Sequence, residues 1–404
     1  MTSKSGISDS RTLHILTRLI TGGADENTIL SIQGLQNEGC KIELLVGGES
    51  DKKLFEKYTD VTIIEINELV RNINPVKDFI AFHKIFWLLK KSDYQIVHTH
   101  TAKAGIIGRL AAKLAGINII IHTLHGITFH DNLNIPVKIF YKLLEKITGR
   151  FTDCIITVGD DIKERYIQHH IAPPEKFVTI RSGFDISAFL QSAKLEASES
   201  MKLREELGVK SGDILIGCVS RLEPRKGHTY LFQAIEKLSL LSEIEQSVRL
   251  IIAGEGSYRT VLEKECEERG IGSQVRFIGF REDIARVMSL FDIIALTSLW
   301  EGLPRVLVQA ALLGKPIVTF NVEGAHEVVH ENVNGFVVPS KNVEQFTQKL
   351  AWMILNLSEA QKMGLAGKKI INNNWDTATM TRQIKSEYEK FLNRKLKTLH
   401  DKNY

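Results

Sequence analysis

The chain has 404 residues, 43% hydrophobic and 25% charged, with a formal net charge of +4. That is a globular composition, too long for one core of ordinary size, and its mild charge without a long basic block argues against a nucleic-acid partner. Cys40, Cys154, Cys218 and Cys266 lie far apart without metal-like spacing, the start is polar and no apolar window reaches 18 residues. A reduced, cytoplasmic protein without a membrane span is expected.

In chain order, an apolar strand at Leu13–Leu16 runs on to Gly22-Gly23, followed by an amphipathic segment, Asn27–Gln36, and a second strand, Ile42–Val46. This is a βαβ opening with a glycine turn, where backbone can approach a ligand closely. Pro75–Lys91 carries helical spacing and terminal lysines, and a core-facing helix is expected. The strand Tyr94–His98 delivers His98-Thr-His100-Thr-Ala-Lys103, and the strand Ile117–His122 delivers Thr123-Leu-His125-Gly126 and His130. Ligand crevices lie beyond the carboxyl ends of parallel strands, so these imidazoles are expected around one cleft. A zinc site of His98, His100, His125 and His130 is disfavoured, because neither a helical His-x-x-x-His nor a carboxylate cluster accompanies them. A lysine-bearing helix at Pro136–Ile147, the strand Asp153–Val158 and the helix Asp160–Gln168 follow.

A polar stretch, Ser187–Ser211, contains the expected domain boundary. The second half opens with the strand Ile214–Val219 and then Arg221-Leu-Glu-Pro-Arg225-Lys226-Gly227. Arg221 and Lys226 flank a turn at a strand's carboxyl end, a suitable pair for a diphosphate. After Val248–Ala253 comes Gly254-Glu255-Gly256, and Val275–Phe280 forms a further short strand. The strand Ile293–Thr297 leads into Trp300-Glu301-Gly302-Leu303-Pro304-Arg305 and on to Gln309. A helix beginning at Pro304 is expected, its free N–H groups suiting phosphate, with Glu301 and Gln309 roughly 12 Å apart along it. Asn334-Gly335 reads as a hairpin-like turn. The last helix is expected over Thr377–Leu399.

The stretch from Glu301 to Gln309, with its flanking Gly-Leu-Pro and Gly-Lys-Pro, resembles the Glu-x7-Glu signature of family 4 glycosyltransferases, with Gln309 where the second glutamate usually stands. Gly22-Gly23, the His98–Gly105 loop, His125-Gly126, Arg221, Lys226 and the turn at Glu323-Gly324 occur in family order. The resemblance implies an α/β protein of the GT-B fold, two Rossmann-like doubly wound domains facing a central cleft. The expected division is 1–195 for the acceptor, 196–376 for the nucleotide sugar, and 377–404 as a helix returning across the junction.

It further implies a retaining glycosyltransferase moving a sugar from a UDP- or GDP-type donor to a hydroxyl, with no metal or other cofactor required. Arg221 and Lys226 would stabilise the leaving diphosphate, Glu301 would hold the donor sugar, and His125 would face the reacting sugar. Gly22, Gly23, Gly254, Ile278, Gly302, Leu303, Pro304 and Gln309 would complete the donor site, with His98 and Lys103 on the acceptor side; the alternative for His98 and His100 is a structural role, satisfying loop backbone groups. The basic helices Lys84–Lys91 and Lys138–Lys146 point to a lipid-linked or cell-surface glycan acceptor and peripheral contact with the inner face of a membrane. Two rival readings are a GT-B-fold nucleotide-sugar 2-epimerase and a non-catalytic sugar-nucleotide-binding subunit.

Overall fold

The structure, a computed structural model, describes residues 10–401, with side chains to residue 395. The chain forms two compact units, one made of the residues up to Gly183 together with those from Asn374 onward, the other of Phe184–Asn373.

The first unit is a seven-stranded parallel sheet of β1 (Arg11–Leu16), β2 (Lys41–Gly47), β3 (Thr62–Ile66), β4 (Tyr94–His100), β5 (Ile119–Leu124), β6 (Cys154–Thr157) and β7 (Phe177–Thr179). Their order is β3-β2-β1-β4-β5-β6-β7. A parallel sheet needs crossover helices, which cover both faces and call for apolar residues on each. Leu13, Ile15 and Val97 therefore pack on one side with Ala81, Ile85 and Leu89 of the helix Pro75–Lys91. On the other side Leu16 and Ile96 pack with Ile29 and Ile32 of the helix Gly23–Asn37 and with Met380, Ile384 and Tyr388 of the final helix, Thr377–Asp401. That final helix is thus part of the first unit's core, and Lys385 adds a 2.8 Å ion pair to Glu38.

The second unit is a six-stranded sheet of β8 (Ile214–Val219), β9 (Val248–Ala253), β10 (Val275–Gly279), β11 (Ile293–Leu296), β12 (Ile317–Phe320) and β13 (Gly335–Val338), ordered β10-β9-β8-β11-β12-β13. β13 pairs parallel to β12, so Asn334-Gly335 is not a hairpin. Asn334 instead closes the preceding loop, accepting from the His330 N–H at 2.8 Å and donating to Val328 O at 2.9 Å. The expected boundary at 195/196 also shifts. Phe184 and Phe189 meet edge to face at 5.4 Å and Arg305 lies over Phe184 at 4.5 Å, which binds this segment into the second unit.

In each sheet the strand order reverses once, between β1 and β4 and between β8 and β11. Loops leaving the carboxyl ends of such a pair diverge to opposite faces and leave a crevice where a ligand can meet backbone and side chains.

Candidate functional site

The second unit's switch point carries a string of charges. The loop after β8 contributes Arg221, Glu223, Arg225 and Lys226, and the loop after β11 contributes Glu301. Arg221 Nη2 meets Glu223 Oε1 at 2.7 Å, and Arg225 Nε meets Glu223 Oε2 at 3.0 Å. Arg225 Nη1 reaches Glu301 Oε2 at 3.3 Å, and Lys226 Nζ donates to Glu301 Oε1. The two loops are joined by the Leu299 N–H donating to Arg225 O at 2.8 Å and by the Thr297 hydroxyl donating to Lys226 O at 3.3 Å. Gly227 permits this approach. Its φ is +64° and a Cβ would lie 2.2 Å from Thr297 O, so any other residue would push Lys226 away from Glu301.

Burial pushes the Glu301 carboxyl up, but Lys226 and then Arg225 outweigh it and hold it at about 2 instead of 4.5. A folded value below the unfolded one stabilises the protein fully above about pH 4.5, and the contribution is lost as pH falls toward 2. The difference is on the order of 3 kcal/mol. Acid unfolding followed by circular dichroism is expected to be flatter between those limits in Glu301→Gln than in the unaltered protein; superimposable acid limbs would contradict the ion pair.

The helix after this loop is Arg305–Leu313, with Pro304 as its N-cap rather than its first residue. Glu301 therefore sits in an extended loop, and the 12 Å helical separation from Gln309 does not apply. Pro304 has an extended ψ of 92°, which ends the loop before the helix can begin. The Glu301 N–H is not open to a phosphate in this arrangement, since it donates to Glu323 Oε2 at 3.3 Å. Gln309 is half-buried, and its side chain makes no hydrogen bond among the described residues. Gly302 and Leu303 pack against the Glu323-Gly324 turn, where a Cβ on Gly324 would lie 2.9 Å from Gly302 O. Gly254, with φ +139°, follows β9, and a Cβ there would meet Ser220 O at 2.0 Å, so packing alone demands glycine. Ile278 lies on β10, the edge strand.

In the first unit the expected ring of imidazoles around a crevice is largely a buried cluster. His98 is fully buried, its Nδ1 2.6 Å from the Tyr388 hydroxyl and its Nε2 2.7 Å from Thr123 Oγ1. His100 Nε2 meets His14 Nδ1 at 3.0 Å, and His14 Nε2 meets the Tyr388 hydroxyl at 3.0 Å. His100 Nδ1 meets His125 Nε2 at 3.0 Å, and His125 is half-buried. Alternation along β4 puts His98 and His100 on one face, and His14 is the register partner of His98 on β1. His14, His98 and His100 bring ligand atoms within 4.8 Å of one another. All six of their nitrogens are nevertheless engaged with neighbouring side chains, which accounts for the cluster through hydrogen bonding. Burial keeps the rings neutral, lowering His14 to about 3 and His125 to about 4 and holding His98 and His100 well below the ordinary range.

His98 and Lys103, expected on the acceptor side, both have partners within the protein. Both nitrogens of His98 are used inside the core, and Lys103 pairs with Asp78 at 2.5 Å while donating to Asn72 O. Gly22 is the N-cap of the helix Gly23–Asn37, and a Cβ there would have ordinary contact only, 3.6 Å from Asp25 Oδ2. Protein packing does not require glycine at that point, and close approach of a ligand would. Thr101, at the end of β4, holds φ +62°, a conformation that costs on the order of 1–3 kcal/mol outside glycine, and its hydroxyl is 2.8 Å from that of Thr17. Strain of this kind concentrates at ligand-binding loops.

Glu223, Arg225, His14 and Tyr388 were not singled out from sequence. The first two stood inside the recognised turn and could have been read from their opposite charges. Tyr388 is 290 residues from His98 and no local pattern joins them.

Comparison with known proteins gives two family matches, "Glycosyltransferase Family 4" over residues 21–188 and "Glycosyl transferases group 1" over residues 199–370. The chain is 29% identical over 351 residues to a UDP-Gal:alpha-D-GlcNAc-diphosphoundecaprenol alpha-1,3-galactosyltransferase of Escherichia coli, covering 86% of this chain and 88% of the relative. It is 25% identical to the capsular polysaccharide biosynthesis glycosyltransferase CapM of Staphylococcus aureus, over 85% of this chain and 89% of that one. Among solved structures, Anabaena HepE in complex with UDP-glucose superposes with a TM-score of 0.78 at 24% identity, covering 94% of this chain and 99% of that one.

Proposed function

The chain belongs to glycosyltransferase family 4, and from that premise we propose that it is a retaining enzyme moving a sugar from a UDP- or GDP-type donor to a hydroxyl of a glycan or lipid-linked acceptor in cell-surface polysaccharide or lipopolysaccharide assembly. The observation that carries this reading is the string Arg221, Glu223, Arg225, Glu301, Lys226 at the carboxyl ends of β8 and β11. As the bond from the anomeric carbon to the diphosphate breaks, negative charge grows on the leaving group. Arg221 and Lys226 offset it where little water competes. The acceptor oxygen forms its bond on the same face, and its proton leaves with the diphosphate.

Glu301 accepts hydrogen bonds from donor-sugar hydroxyls. A carboxylate has about four lone-pair sites, so its pairs to Lys226 and Arg225 leave room and also aim it. Gly302, Leu303 and Pro304 line the sugar and phosphates, Ile278 lies by the base, Gly22-Gly23 admit a ligand close to backbone, and His125 faces the reacting sugar. Gln309 takes the ribose with one acceptor oxygen and one donor, where a glutamate would accept from both hydroxyls.

The test is incubation of the purified protein with labelled UDP- and GDP-sugars and a lipid-linked saccharide. Label moving to the acceptor supports the reading; an epimerised donor with no transfer would replace it with the epimerase. Thermal unfolding with UDP, GDP and ADP identifies the base, since a nucleotide at a hundred times its Kd adds about 2.7 kcal/mol. Gln309→Glu is expected to tighten nucleotide binding several-fold, because a charge-assisted bond exceeds a neutral one by about 1 kcal/mol. Calorimetry showing weaker binding would remove the ribose contact.

The acceptor is proposed to arrive from a membrane. No helix among the described residues is long and apolar enough to cross one. The helix Ile135–Phe151 instead leaves Ile135, Ile139, Phe140 and Leu143 exposed alongside Lys138, Lys142 and Lys146, and Phe79 and Trp87 of the helix Pro75–Lys91 are exposed as well. An amphipathic basic face of this type lies in the interface of anionic lipid. Ile139→Glu combined with Phe140→Glu is expected to abolish co-sedimentation with anionic vesicles, and unchanged sedimentation would refute the contact.

A further inference from the structure

Thr123, His98, Tyr388, His14, His100 and His125 form one unbroken chain of five side-chain contacts, each between 2.6 and 3.0 Å. A neutral imidazole carries one hydrogen, so one of its nitrogens donates and the other accepts. The Tyr388 hydroxyl also carries one, and it faces two ring nitrogens. It must donate to one ring and accept from the other. Once that choice is made, every ring in the chain is committed, since a donor at one contact is an acceptor at the next. Only two arrangements satisfy all five contacts, with every histidine hydrogen on Nε2 or every one on Nδ1.

The lengths at Tyr388 distinguish them, while the 2.7 Å contact of His98 Nε2 with Thr123 Oγ1 falls within the range of either donor. Hydroxyl-donated bonds run shorter than N–H-donated ones. The 2.6 Å contact to His98 Nδ1 fits the tyrosine O–H as donor, and the 3.0 Å contact to His14 Nε2 fits the ring N–H as donor. His98 Nε2–H then donates to Thr123 Oγ1, His100 Nε2–H donates to His14 Nδ1, and His125 Nε2–H donates to His100 Nδ1. His125 Nδ1 is left bare, and it has no hydrogen-bond partner among the described residues.

We propose that Tyr388 is a positioning residue which, through His14 and His100, locks His125 in its Nε2–H tautomer, so that His125 Nδ1 accepts a hydrogen bond from a hydroxyl of the reacting sugar. The functional half rests on the reading that His125 faces that sugar; the tautomer lock does not. The final helix thereby has a role beyond closing a core. Its tyrosine decides whether a half-buried imidazole presents a lone pair or an N–H.

The experiment is nitrogen-15 NMR of the histidine rings in the full-length, ligand-free protein, with His125 assigned by a His125→Gln control. His125 is expected as Nε2–H in the unaltered protein and as a tautomer mixture in Tyr388→Phe, with turnover falling about tenfold, the worth of one correctly presented bond. Thr123→Val removes the acceptor of His98 Nε2–H while keeping the side chain's shape. The His98 hydrogen should move to Nδ1 and the chain reverse, so that His125 becomes Nδ1–H. That variant carries the test should Tyr388→Phe fail to fold. His125 found as Nδ1–H in the unaltered protein, or unmoved in both variants, overturns the relay. A His125→Ala enzyme with undiminished turnover would instead remove the sugar-facing role, and the NMR result would stand apart from it.

Discussion

Lys226→Ala and Arg221→Ala are each expected to lower kcat by about two to three orders of magnitude, the usual effect of deleting one group that stabilises developing negative charge. The fold should survive both changes. After Lys226→Ala, Glu301 keeps Arg225 at 3.3 Å, so no buried carboxylate is stranded, and after Arg221→Ala, Glu223 keeps Arg225 at 3.0 Å. The division between kcat and KM is informative. A transition-state role lowers kcat and kcat/KM together, whereas uniform binding raises KM alone. Circular dichroism with steady-state kinetics on a UDP- or GDP-sugar checks this, and full turnover in both variants would end the phosphate assignment.

Glu301→Gln is expected to reduce turnover about a hundredfold, because a donor sugar held slightly out of line loses the benefit of prior orientation. The effect on the free nucleoside diphosphate should run the other way. In the ligand-free protein Glu301 occupies Lys226, and an incoming diphosphate has to compete for that ammonium. A glutamine releases it, so UDP or GDP should bind the variant as tightly as before or more tightly. Weakened nucleotide binding together with weakened turnover would mean that Glu301 serves only to hold the loop after β11.

The two charged loops were legible as separate motifs. Arg221 and Lys226 stood out beside a strand end, and Glu301 stood out before a Gly-Leu-Pro turn. That Glu301 meets Lys226 was not legible, because 75 residues separate them and their meeting depends on β8 lying beside β11. The helix expected from Pro304 runs Arg305–Leu313, and only the helical rise counted from Glu301 was misplaced, since the spacing of polar residues does not reveal that Pro304 caps the helix from outside. The histidines were visible at their strand ends, but a period of two says only which residues share a face and leaves open what covers it. Here the cover is the helix Thr377–Asp401, which turned His98 from a candidate ligand contact into a core residue.

Alternating apolar strands and amphipathic helices, read along the chain, were sufficient for two doubly wound units and for the identity of most loops that carry polar groups, because side-chain periodicity and turn residues are local properties. Which of those polar groups meet is a property of strand order and of the return of the last helix to the first sheet. Those are settled by burial of faces far apart in sequence. Arg225 with Glu301 and Tyr388 with His98 and His14 exist as pairs only once these faces have closed.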